Sequence, residues 1–494
     1  MKKQLNINAV TYTLPGNSIR ALANNLKIKY ASLDRPVTGH LEFAEPTTNA
    51  NIALQYGWDG SNIGVAVIDS GIYAGHPDLQ NGRNSRVVYS QSFVSNDPST
   101  NDAYGHGTHV AGIIAGNGTA SSGSNAIHTF RGIAPAANLI NLRVLDSNGQ
   151  ATDSTVIAAI QQAISLKSKY NIRIINLSLG RQVFESYKQD PLCQAVEAAW
   201  KAGIVVVVSA GNNGRDNSMN TYGYDTITAP ANDPYVITVG VMKDEKTVAR
   251  GDDLMASYSS KGPTLLDHVV KPDLVAPGNQ IISALSPSCT LYSMYPGNAV
   301  PVSYYKTSST SSPSWNYFTL SGTSMAAPMV SGAAALLLEQ NSSLTPDQVK
   351  ARLMKTASKG FPASSTIIDP ATGISYTDYY DLFTVGAGYL DVWAALNDSG
   401  IAQGTAISPI ATYNTWSGAV SVWFDSSAAW GSSVDWGANV VWGSNVMSGT
   451  NVVWGSNVVW GSSTVAGFNV VWGSNVVWGS SQPYSEPLSL QGEK

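Results

Sequence analysis

Between about residue 50 and residue 398, short apolar runs rich in Val and Ile alternate with helical patterns. The predicted strands are IGVAVIDSG, NLINLRVL, IRIINLSLG, GIVVVVSAGN and YVITVGVM. The predicted helices lie near residues 106–116, 153–170, 192–202, 324–340 and 345–358. Continuously apolar strands between helices indicate a parallel sheet that is buried on both faces. We therefore predict an α/β fold of three layers, with ligands bound beyond the carboxyl ends of the strands.

The first 45 residues have a different pattern. They predict a strand in NAVTYTLP, a short helix in GNSIRALANN and a second strand in KIKYASLDRPV. This α+β unit has few apolar positions from which to build a core of its own. We place domain boundaries accordingly, with residues 1–45 as a separate segment and residues 46–398 as the α/β domain.

Residues 399–494 form a third segment, which is rich in tryptophan. The motif NVVWGS begins at residues 439, 451, 457, 469 and 475, and the tryptophans from residue 430 to residue 478 are 6 or 12 residues apart. An even spacing puts every indole on one face of an extended chain. Three hypotheses remain open: a solenoid-like or hairpin β appendage, a surface-attachment or carbohydrate-contacting module, and a disordered segment trimmed on maturation. We favour the ordered β appendage.

Composition argues against two classes of main partner. Only 12 % of the 494 residues are charged, the net charge is -5, and no block of Lys and Arg occurs. These values argue against nucleic acid or an anionic membrane surface as the main partner. No apolar stretch approaches the roughly 18 to 20 residues of a membrane helix. The two cysteines, Cys193 and Cys289, match no metal-ligand spacing, and one disulfide and two free thiols both remain open.

Four polar residues occupy positions that suit nucleophilic catalysis. Asp69 ends the strand VAVID, His106 opens the helix of GHGTHVAGIIAG, and Ser324 opens the helix of SGTSMAAPMVSG. Asn212 follows a strand end in VSAGNNG and carries an amide that can donate to an oxyanion. Taken singly, each has an ordinary structural explanation: a helix N-cap for Ser324, a turn for Asp69, a loop for Asn212. Together they provide an acid, a base and a hydroxyl on rigid elements.

These motifs resemble those of the subtilisin-like serine proteases, the subtilase family. The resemblance covers roughly residues 60–398 and keeps the family's order of Asp, His and Ser. It implies that Asp69 orients the imidazole, His106 is the general base and acid, and Ser324 is the nucleophile. It also implies that Asn212 and the Ser324 backbone N–H form the oxyanion hole. The expected activity is that of a serine endopeptidase acting on proteins or peptides through an acyl-enzyme, with no cofactor required for catalysis.

A rival hypothesis keeps the fold without the chemistry. In it, the chain is an inactive subtilase scaffold that serves as a binding or adhesion protein through its Trp-rich repeats. An inactive scaffold usually lacks one of the catalytic residues, whereas Asp69, His106, Ser324 and Asn212 are all present here. We therefore favour catalysis.

The resemblance also predicts how a substrate binds. The peptide is expected to pair as a strand beside NLSLG, so that Ser178, Leu179 and Gly180 line the cleft. Thr228 stands where many relatives have glycine at the floor of the S1 pocket, and Arg181 stands where a second glycine is frequent. Because a β-branched side chain makes the pocket shallower, we predict a preference for small or medium apolar P1 residues over large aromatic ones.

Metal binding is a separate question. Asp78, beside His76 in GHPDL, matches a position at which many subtilases bind a structural calcium ion, but the loop GNGTASSGSNAIHTF does not match the loop that supplies the other ligands. A structural calcium ion at Asp78 is therefore one possibility. His109 lies three residues after His106 without a third metal ligand in view, and the family has a structural histidine there. We expect His76 and His109 to be packed, hydrogen-bonded residues.

The start of the sequence lacks the features of a signal peptide. MKKQLNINAVTYTL carries two lysines and then polar residues in place of an apolar region. The N-terminal unit resembles the later part of a subtilase propeptide, which acts as chaperone and inhibitor. We therefore expect the chain to begin inside a longer, exported precursor that is cut between about residues 36 and 50. The expected location of the enzyme is secreted or extracellular.

Overall fold

The computed structural model describes residues 3–5, 9–11, 43–218, 220–307, 312–369, 372–414, 419–425, 429 and 492–493. The chain divides into two compact units, Met1–Thr38 and Gly39–Lys494. In the first unit, β1 (Lys3–Leu5) pairs antiparallel with β2 (Ala9–Thr11). β2 falls within the predicted strand NAVTYTLP. The helix and second strand predicted for this unit lie outside the described residues.

The described helices of the second unit include all five predicted ones, which begin and end within about two residues of the predicted positions. They are α1 (Ala44–Thr47), α2 (Ala50–Gln55), α3 (His106–Ala115), α4 (Asp153–Tyr170), α5 (Pro191–Lys201), α6 (Thr290–Met294), α7 (Val302–Tyr305), α8 (Thr323–Gln340), α9 (Pro346–Thr356), α10 (Leu382–Val385) and α11 (Val392–Asn397). Among the residues that the structure describes, no helix is long and apolar enough to cross a membrane.

The strands of the second unit include all five that the apolar runs predicted. They are β3 (Gly64–Asp69), β4 (Gln80–Asn81), β5 (Asn84–Ser85), β6 (Val87–Ser92), β7 (Asn138–Arg143), β8 (Ile172–Leu177), β9 (Val205–Ser209), β10 (Ile237–Lys243), β11 (Leu254–Met255), β12 (Leu274–Pro277), β13 (Ile281–Ala284), β14 (Ala299–Pro301), β15 (Pro313–Leu320), β16 (Ser364–Ile368), β17 (Ser375–Tyr379), β18 (Ile410–Asn414) and β19 (Ala419–Trp423).

Eight of the described strands form one central sheet. Its order is β11, β10, β9, β8, β3, β7 and β6, with β12 beside β10. All its pairings are parallel except that of β11 with β10. β6, β11 and β12 were not predicted, because β6 mixes polar with apolar residues and β11 and β12 have only two and four residues.

Helices cover both faces of this sheet. α3 and α8 contact each other and the sheet, and α4 and α5 form a second pair that also contacts it. Every residue of β3, β9 and β10 is buried, which requires cover on both faces. The mostly parallel sheet between two helix layers confirms the predicted α/β architecture of the central domain.

Local sequence signals set several helix starts. Pro191 and Pro346 each occupy the first turn of a helix, where the missing N–H of proline costs nothing. The Asp190 side chain accepts a 2.9 Å hydrogen bond from the Leu192 N–H, and Thr345 and Gln348 form a capping box at α9.

The Trp-rich segment is described only in part. Within it, β18 pairs antiparallel with β19 over Ile410–Asn414 and Ala419–Trp423, and Glu493 is buried near the end of the sequence. The NVVWGS repeats lie outside the described residues, so the β appendage stays a prediction.

Candidate active site

The first pair of predicted site residues meets at the carboxyl end of β3. Asp69 is the last residue of β3, and His106 is the first residue of α3. Nδ1 of His106 lies 2.8 Å from Oδ1 and 3.0 Å from Oδ2 of Asp69. Both side chains are buried. The approach is close because Gly107 has no side chain: a Cβ there would lie 2.3 Å from the Gly71 carbonyl oxygen.

A second buried carboxylate, on Asp102, holds the start of α3. Its oxygens accept hydrogen bonds from the Gly105 N–H at 2.7 Å, the Thr108 N–H at 2.8 Å and the Ser70 hydroxyl at 2.8 Å. These bonds satisfy two backbone donors at the beginning of the helix. Sequence reasoning missed Asp102. Its signal was an acidic residue four positions before His106, a place that suits the positive end of the helix dipole.

The surroundings of His106 set its proton affinity. Burial lowers the pKa of the imidazole, but the charge and hydrogen bond of Asp69, with the charge of Asp102, outweigh burial and raise this pKa above its ordinary value. Because Nδ1 faces a carboxylate, it carries a proton in the neutral ring. Nε2 is then the basic nitrogen, and it makes no hydrogen bond within the part of the chain that the structure describes.

Ser324 is the second residue of α8, after the N-cap Gly322 and the first helical residue Thr323. Its side chain does not cap the helix, which argues against the structural explanation of this serine. Ser324 Oγ lies 3.2 Å from the Ser178 carbonyl oxygen, to which it donates, and Ser178 Oγ donates to the Ser324 carbonyl at 2.9 Å. Pro328 lacks the N–H that would otherwise bond to the Ser324 carbonyl within the helix. The proline thus leaves that carbonyl for Ser178.

Asn212 is oriented by the residue before Ser324. Its Oδ1 accepts hydrogen bonds from the Thr323 N–H at 2.9 Å and the Thr323 hydroxyl at 3.1 Å. With the oxygen held in this way, Nδ2 is directed elsewhere; it is buried and has no hydrogen-bond partner among the described residues. The Thr323 N–H is already bonded to Asn212. The next backbone N–H in the first turn of α8 is that of Ser324, which has no acceptor within the helix.

Sheet register brings these groups to one edge. Val67 of β3 pairs with Asn176 of β8, so Asp69 and Ser178 lie at the same level two residues further along the parallel strands. α3 and α8, which carry His106 and Ser324, contact each other. The four residues singled out from the sequence therefore lie at the carboxyl edge of the same sheet.

The predicted substrate-binding residues are also close neighbours. Beyond Ser178, Leu179 and Gly180, Arg181 forms an antiparallel bridge with Ala229, with N to O distances of 3.0 and 2.7 Å. Thr228 packs against the residue that precedes Asn212: its Cγ2 lies 2.8 Å from where a Cβ on Gly211 would stand.

Arg181 connects the segment that carries Leu179 and Gly180 to two helices. Its guanidinium contacts both carboxylate oxygens of Asp153, at the start of α4, at 3.0 Å and those of Asp190, before α5, at 2.8 Å. Nε donates to Asp153 and Nη2 donates to Asp190, and such charge-assisted hydrogen bonds are stronger than neutral ones. Arg181 is therefore a buried support of the segment that carries Leu179 and Gly180.

Both accessory histidines are packed and hydrogen-bonded, as expected. Nε2 of His109 lies 3.0 and 3.1 Å from the carbonyl oxygens of Phe318 and Ile281, so this nitrogen carries a proton. Burial, with the neighbouring His106, lowers the pKa of His109 to about 3. Nε2 of His76 lies 2.8 Å from the Asn316 carbonyl oxygen. Among the described residues, no group of three or more His, Cys, Asp or Glu side chains is arranged to hold a metal ion.

The surroundings of Asp78 do not fit a calcium ion. Its Oδ1 accepts a 2.7 Å hydrogen bond from the Ala120 N–H, and its Oδ2 accepts a 2.6 Å bond from the Tyr317 hydroxyl. Calcium requires six to eight oxygen ligands, whereas both oxygens of this carboxylate face proton donors. Tyr317 Oη also lies 2.8 Å from Ser121 Oγ, which accepts the Phe130 N–H at 2.9 Å. A protein hydrogen-bond network thus holds the 116–132 loop.

This network predicts the effect of one hydroxyl. Tyr317→Phe leaves Asp78 Oδ2 buried without its donor, and we expect a loss of about 2 kcal/mol in the free energy of unfolding. Denaturant unfolding in a Ser324→Ala background, which prevents self-digestion, measures it. Tyr56→Phe, at an exposed tyrosine, is the matched control and should change stability by less than about 0.5 kcal/mol. Added calcium should not offset the loss; full recovery with calcium would contradict the network.

Both cysteines are free and buried. Burial raises the pKa of the Cys193 thiol well above its ordinary range and that of Cys289 to about 11. A protonated, buried thiol is a poor nucleophile. Of the two alternatives left open by the sequence, one disulfide or two free thiols, the structure shows two free and unreactive thiols.

Comparison with known proteins adds independent support for the resemblance to subtilases. Residues 60–388 match the family model described as the subtilase family. Serine protease AprX of Bacillus subtilis (strain 168) is 38% identical over 354 residues, which cover 69% of this chain and 72% of AprX. Subtilisin DY of Bacillus licheniformis is 35% identical over 350 residues, 71% of this chain and 96% of that protein. A crystal structure of a cold adapted subtilisin-like serine proteinase is 28% identical, covers 68% of this chain and 90% of its own, and gives a TM-score of 0.45.

Proposed function

Because the chain belongs to the subtilase family and is a serine endopeptidase, we propose that Asp69, His106 and Ser324 are its catalytic triad. The observation that carries the proposal is the pairing of His106 Nδ1 with the Asp69 carboxylate at 2.8 Å, in a chain whose Ser324 lies in the first turn of the neighbouring helix α8. Proteins or peptides are the proposed substrates.

In the first step, His106 acts as general base. Nε2, which has no hydrogen bond to a described residue, takes the proton of Ser324 Oγ as that oxygen attacks the carbonyl carbon of the scissile bond. For this, the Ser324 hydroxyl must turn from the Ser178 carbonyl toward His106. Hydrogen bonds of this kind often tighten only when substrate is bound. Asp69 stabilises the imidazolium that forms and keeps the ring in the correct tautomer.

Negative charge then develops on the former carbonyl oxygen. We propose that Asn212 Nδ2 and the Ser324 backbone N–H donate to it, since both are directed by the Thr323 contacts described above. Collapse of the tetrahedral intermediate breaks the peptide C–N bond, and His106 gives its proton to the leaving amine. Water, deprotonated by His106, then hydrolyses the Ser324 ester and restores the free enzyme.

A fluorophosphonate probe tests the nucleophile. The probe should label the chain at Ser324, located by peptide mapping, and labelling and casein hydrolysis should both disappear in Ser324→Ala. A correctly folded protein without label would overturn the triad and would favour the rival role as a binding or adhesion protein. The exposed serine Ser342, mutated to alanine, is the control and should leave labelling intact.

We propose that Ser178, Leu179 and Gly180 pair with the substrate backbone and that Thr228 narrows the S1 pocket. The support is the bridge that joins Arg181 to Ala229, one residue from Thr228. Small or medium apolar P1 residues are then preferred, because the Thr228 methyl group occupies space beside Gly211.

Replacing Thr228 with glycine should therefore widen the preference. We expect the ratio of kcat/KM for Phe over Ala at P1 to rise about tenfold or more, since a methylene in an apolar pocket changes discrimination by about 1–3 kcal/mol. Cleavage profiling on a peptide library measures the ratio. Thr228→Val keeps the branched shape and should keep the wild-type preference; Phe or Tyr dominating P1 in the wild type would refute the pocket assignment.

The raised pKa of His106 predicts the acid limb of activity. Only the neutral imidazole can act as base, so kcat/KM should fall as the pH drops through a midpoint above the ordinary histidine value of about 6.5. Asp102→Asn removes a charge that raises this pKa and should shift the midpoint to lower pH. The pH dependence of kcat/KM measures the shift, with the exposed Asp252→Asn as control. An unshifted midpoint would show that Asp102 does not act on His106 electrostatically.

We propose, last, that the N-terminal unit inhibits the enzyme until it is removed and that the mature enzyme acts outside the cell. The support is family membership together with the separate compactness of Met1–Thr38. Sequencing the N-terminus of active material tests the proposal: a start between about residues 36 and 50 supports it, and a start at Met1 contradicts it.

A further inference from the structure

Near the end of the sequence, Gly492 and Glu493 are seated on the catalytic domain. Glu493 is only 6% exposed, far from the rest of the described chain in sequence. Its side-chain carboxylate accepts hydrogen bonds from Arg215 Nη2 at 2.7 Å, from the Ser257 N–H at 3.1 Å, and from the Ser257 hydroxyl. Charge-assisted bonds of this kind are stronger than neutral ones.

The backbone of the same pair is held as well. Asn279 accepts the Glu493 N–H at 2.9 Å through Oδ1 and donates to the Glu493 carbonyl at 2.9 Å through Nδ2. Gln280 Nε2 donates to the same carbonyl at 3.3 Å. The Asn279 side chain thus binds both the backbone N–H and the backbone carbonyl of Glu493, which fixes the direction of the bound chain.

Glycine is required before the glutamate. Gly492 has φ +66°, and a Cβ there would lie 2.5 Å from Ser321 Oγ and 2.8 Å from Asn279 Oδ1. Any larger residue would meet both steric overlap and an unfavourable backbone conformation. The site therefore selects a Gly–Glu sequence by shape, charge and backbone pairing together.

We propose that the catalytic domain carries a binding site for a Gly–Glu segment, built from Arg215, Ser257, Asn279, Gln280 and Ser321, and that Gly492–Glu493 is its occupant. The site adjoins the catalytic elements. Arg215 follows Asn212 by three residues in the loop after β9, and Ser321 precedes Ser324 by three. The Glu493 carboxylate joins Arg215, in the loop after β9, to Ser257, so the far end of the Trp-rich segment is bound beside the proposed catalytic residues.

Hydrogen exchange tests the site in the full chain carrying Ser324→Ala, which prevents self-cleavage. Glu493→Gln should speed exchange of the Ser257 N–H about tenfold, because it removes the charge that this N–H and Arg215 share. Gly492→Ala should have a similar effect by steric exclusion, without any change of charge. Neither substitution touches the core, so a folding defect does not obscure the result. Glu197→Gln, at a surface pair with Lys201, is the matched control.

Each result of the exchange experiment either supports or overturns the proposed binding site. Faster exchange at Ser257 in both variants, with unchanged exchange in β9 and in the control, supports the binding site. Unchanged exchange in Glu493→Gln would mean that the carboxylate is not held by Arg215 and Ser257. Unchanged exchange in Gly492→Ala would mean that the backbone is not seated beside Ser321. Either of these last two results overturns the proposal, and neither bears on the triad.

Discussion

Ser324→Ala is expected to lower kcat for peptide hydrolysis about 10⁶-fold, the loss measured for the corresponding serine in subtilisin. The loss corresponds to about 8 kcal/mol of transition-state stabilisation. The expected loss is large because alanine has no hydroxyl for His106 to deprotonate. Without Oγ, no covalent intermediate can form. Stability should change little, since the one hydrogen bond that Oγ donates in the described structure, to Ser178, is 3.2 Å long. Active-site titration and hydrolysis of a chromogenic peptide measure the loss.

Two further variants make this result diagnostic. Ser342→Ala, at an exposed serine just beyond α8, should retain full activity. The double variant Ser324→Ala with His106→Ala should be about as slow as Ser324→Ala alone, because residues that act as one unit lose their function together. Retention of more than about one per cent of activity by folded Ser324→Ala would show that another nucleophile does the chemistry.

Asp69→Asn is expected to lower kcat about 10⁴-fold. The Asp69 carboxylate accepts the Nδ1 proton of His106 at 2.8 Å, which places the reactive lone pair on Nε2. An asparagine can present its N–H₂ group to the ring instead and favour the wrong tautomer, as found for the equivalent change in a serine protease triad. The same substitution removes the charge that raises the pKa of His106, so the midpoint of the acid limb should move to lower pH.

Steady-state kinetics across pH, with circular dichroism to verify folding, checks both parts of this prediction. Asp252→Asn is the control, because it removes a carboxylate from an exposed loop and should leave kcat within about twofold. A loss below tenfold in Asp69→Asn would mean that another group orients the imidazole. Asp102, already fastened to the Gly105 and Thr108 N–H groups, would then be the candidate to examine.

Asp78 shows how the folded surroundings of a residue add to what its local motif indicates. Asp78 stands in a motif typical of a family calcium position, and the sequence alone left the ion open. In the structure, the hydroxyl of Tyr317, 239 residues away, donates to Asp78 Oδ2, so this oxygen faces a proton donor. Only folding brings a phenol to that carboxylate, because β15 pairs with β13 beside the loop that follows α3.

The local pattern of apolar and polar residues was sufficient to predict most of the strands and helices that form the core of the central domain. All five predicted strands of the sheet and all five predicted helices are present, since continuous apolar runs and helical spacing are properties of neighbouring residues. The same holds for the candidate chemistry, because Asp69, His106 and Ser324 lie at or next to the ends of predicted elements and Asn212 lies three residues beyond β9.

What the tertiary structure alone decided are contacts between residues distant along the chain. The Asp102 cap, the Ser178 to Ser324 exchange of hydrogen bonds and the seating of Glu493 on Asn279 leave no periodic trace in sequence. Periodicity reports which face of an element is buried, and motif order reports which side chains converge on a sheet edge. The partner of a buried polar group depends on which elements pack together, so it is fixed only when the chain has folded.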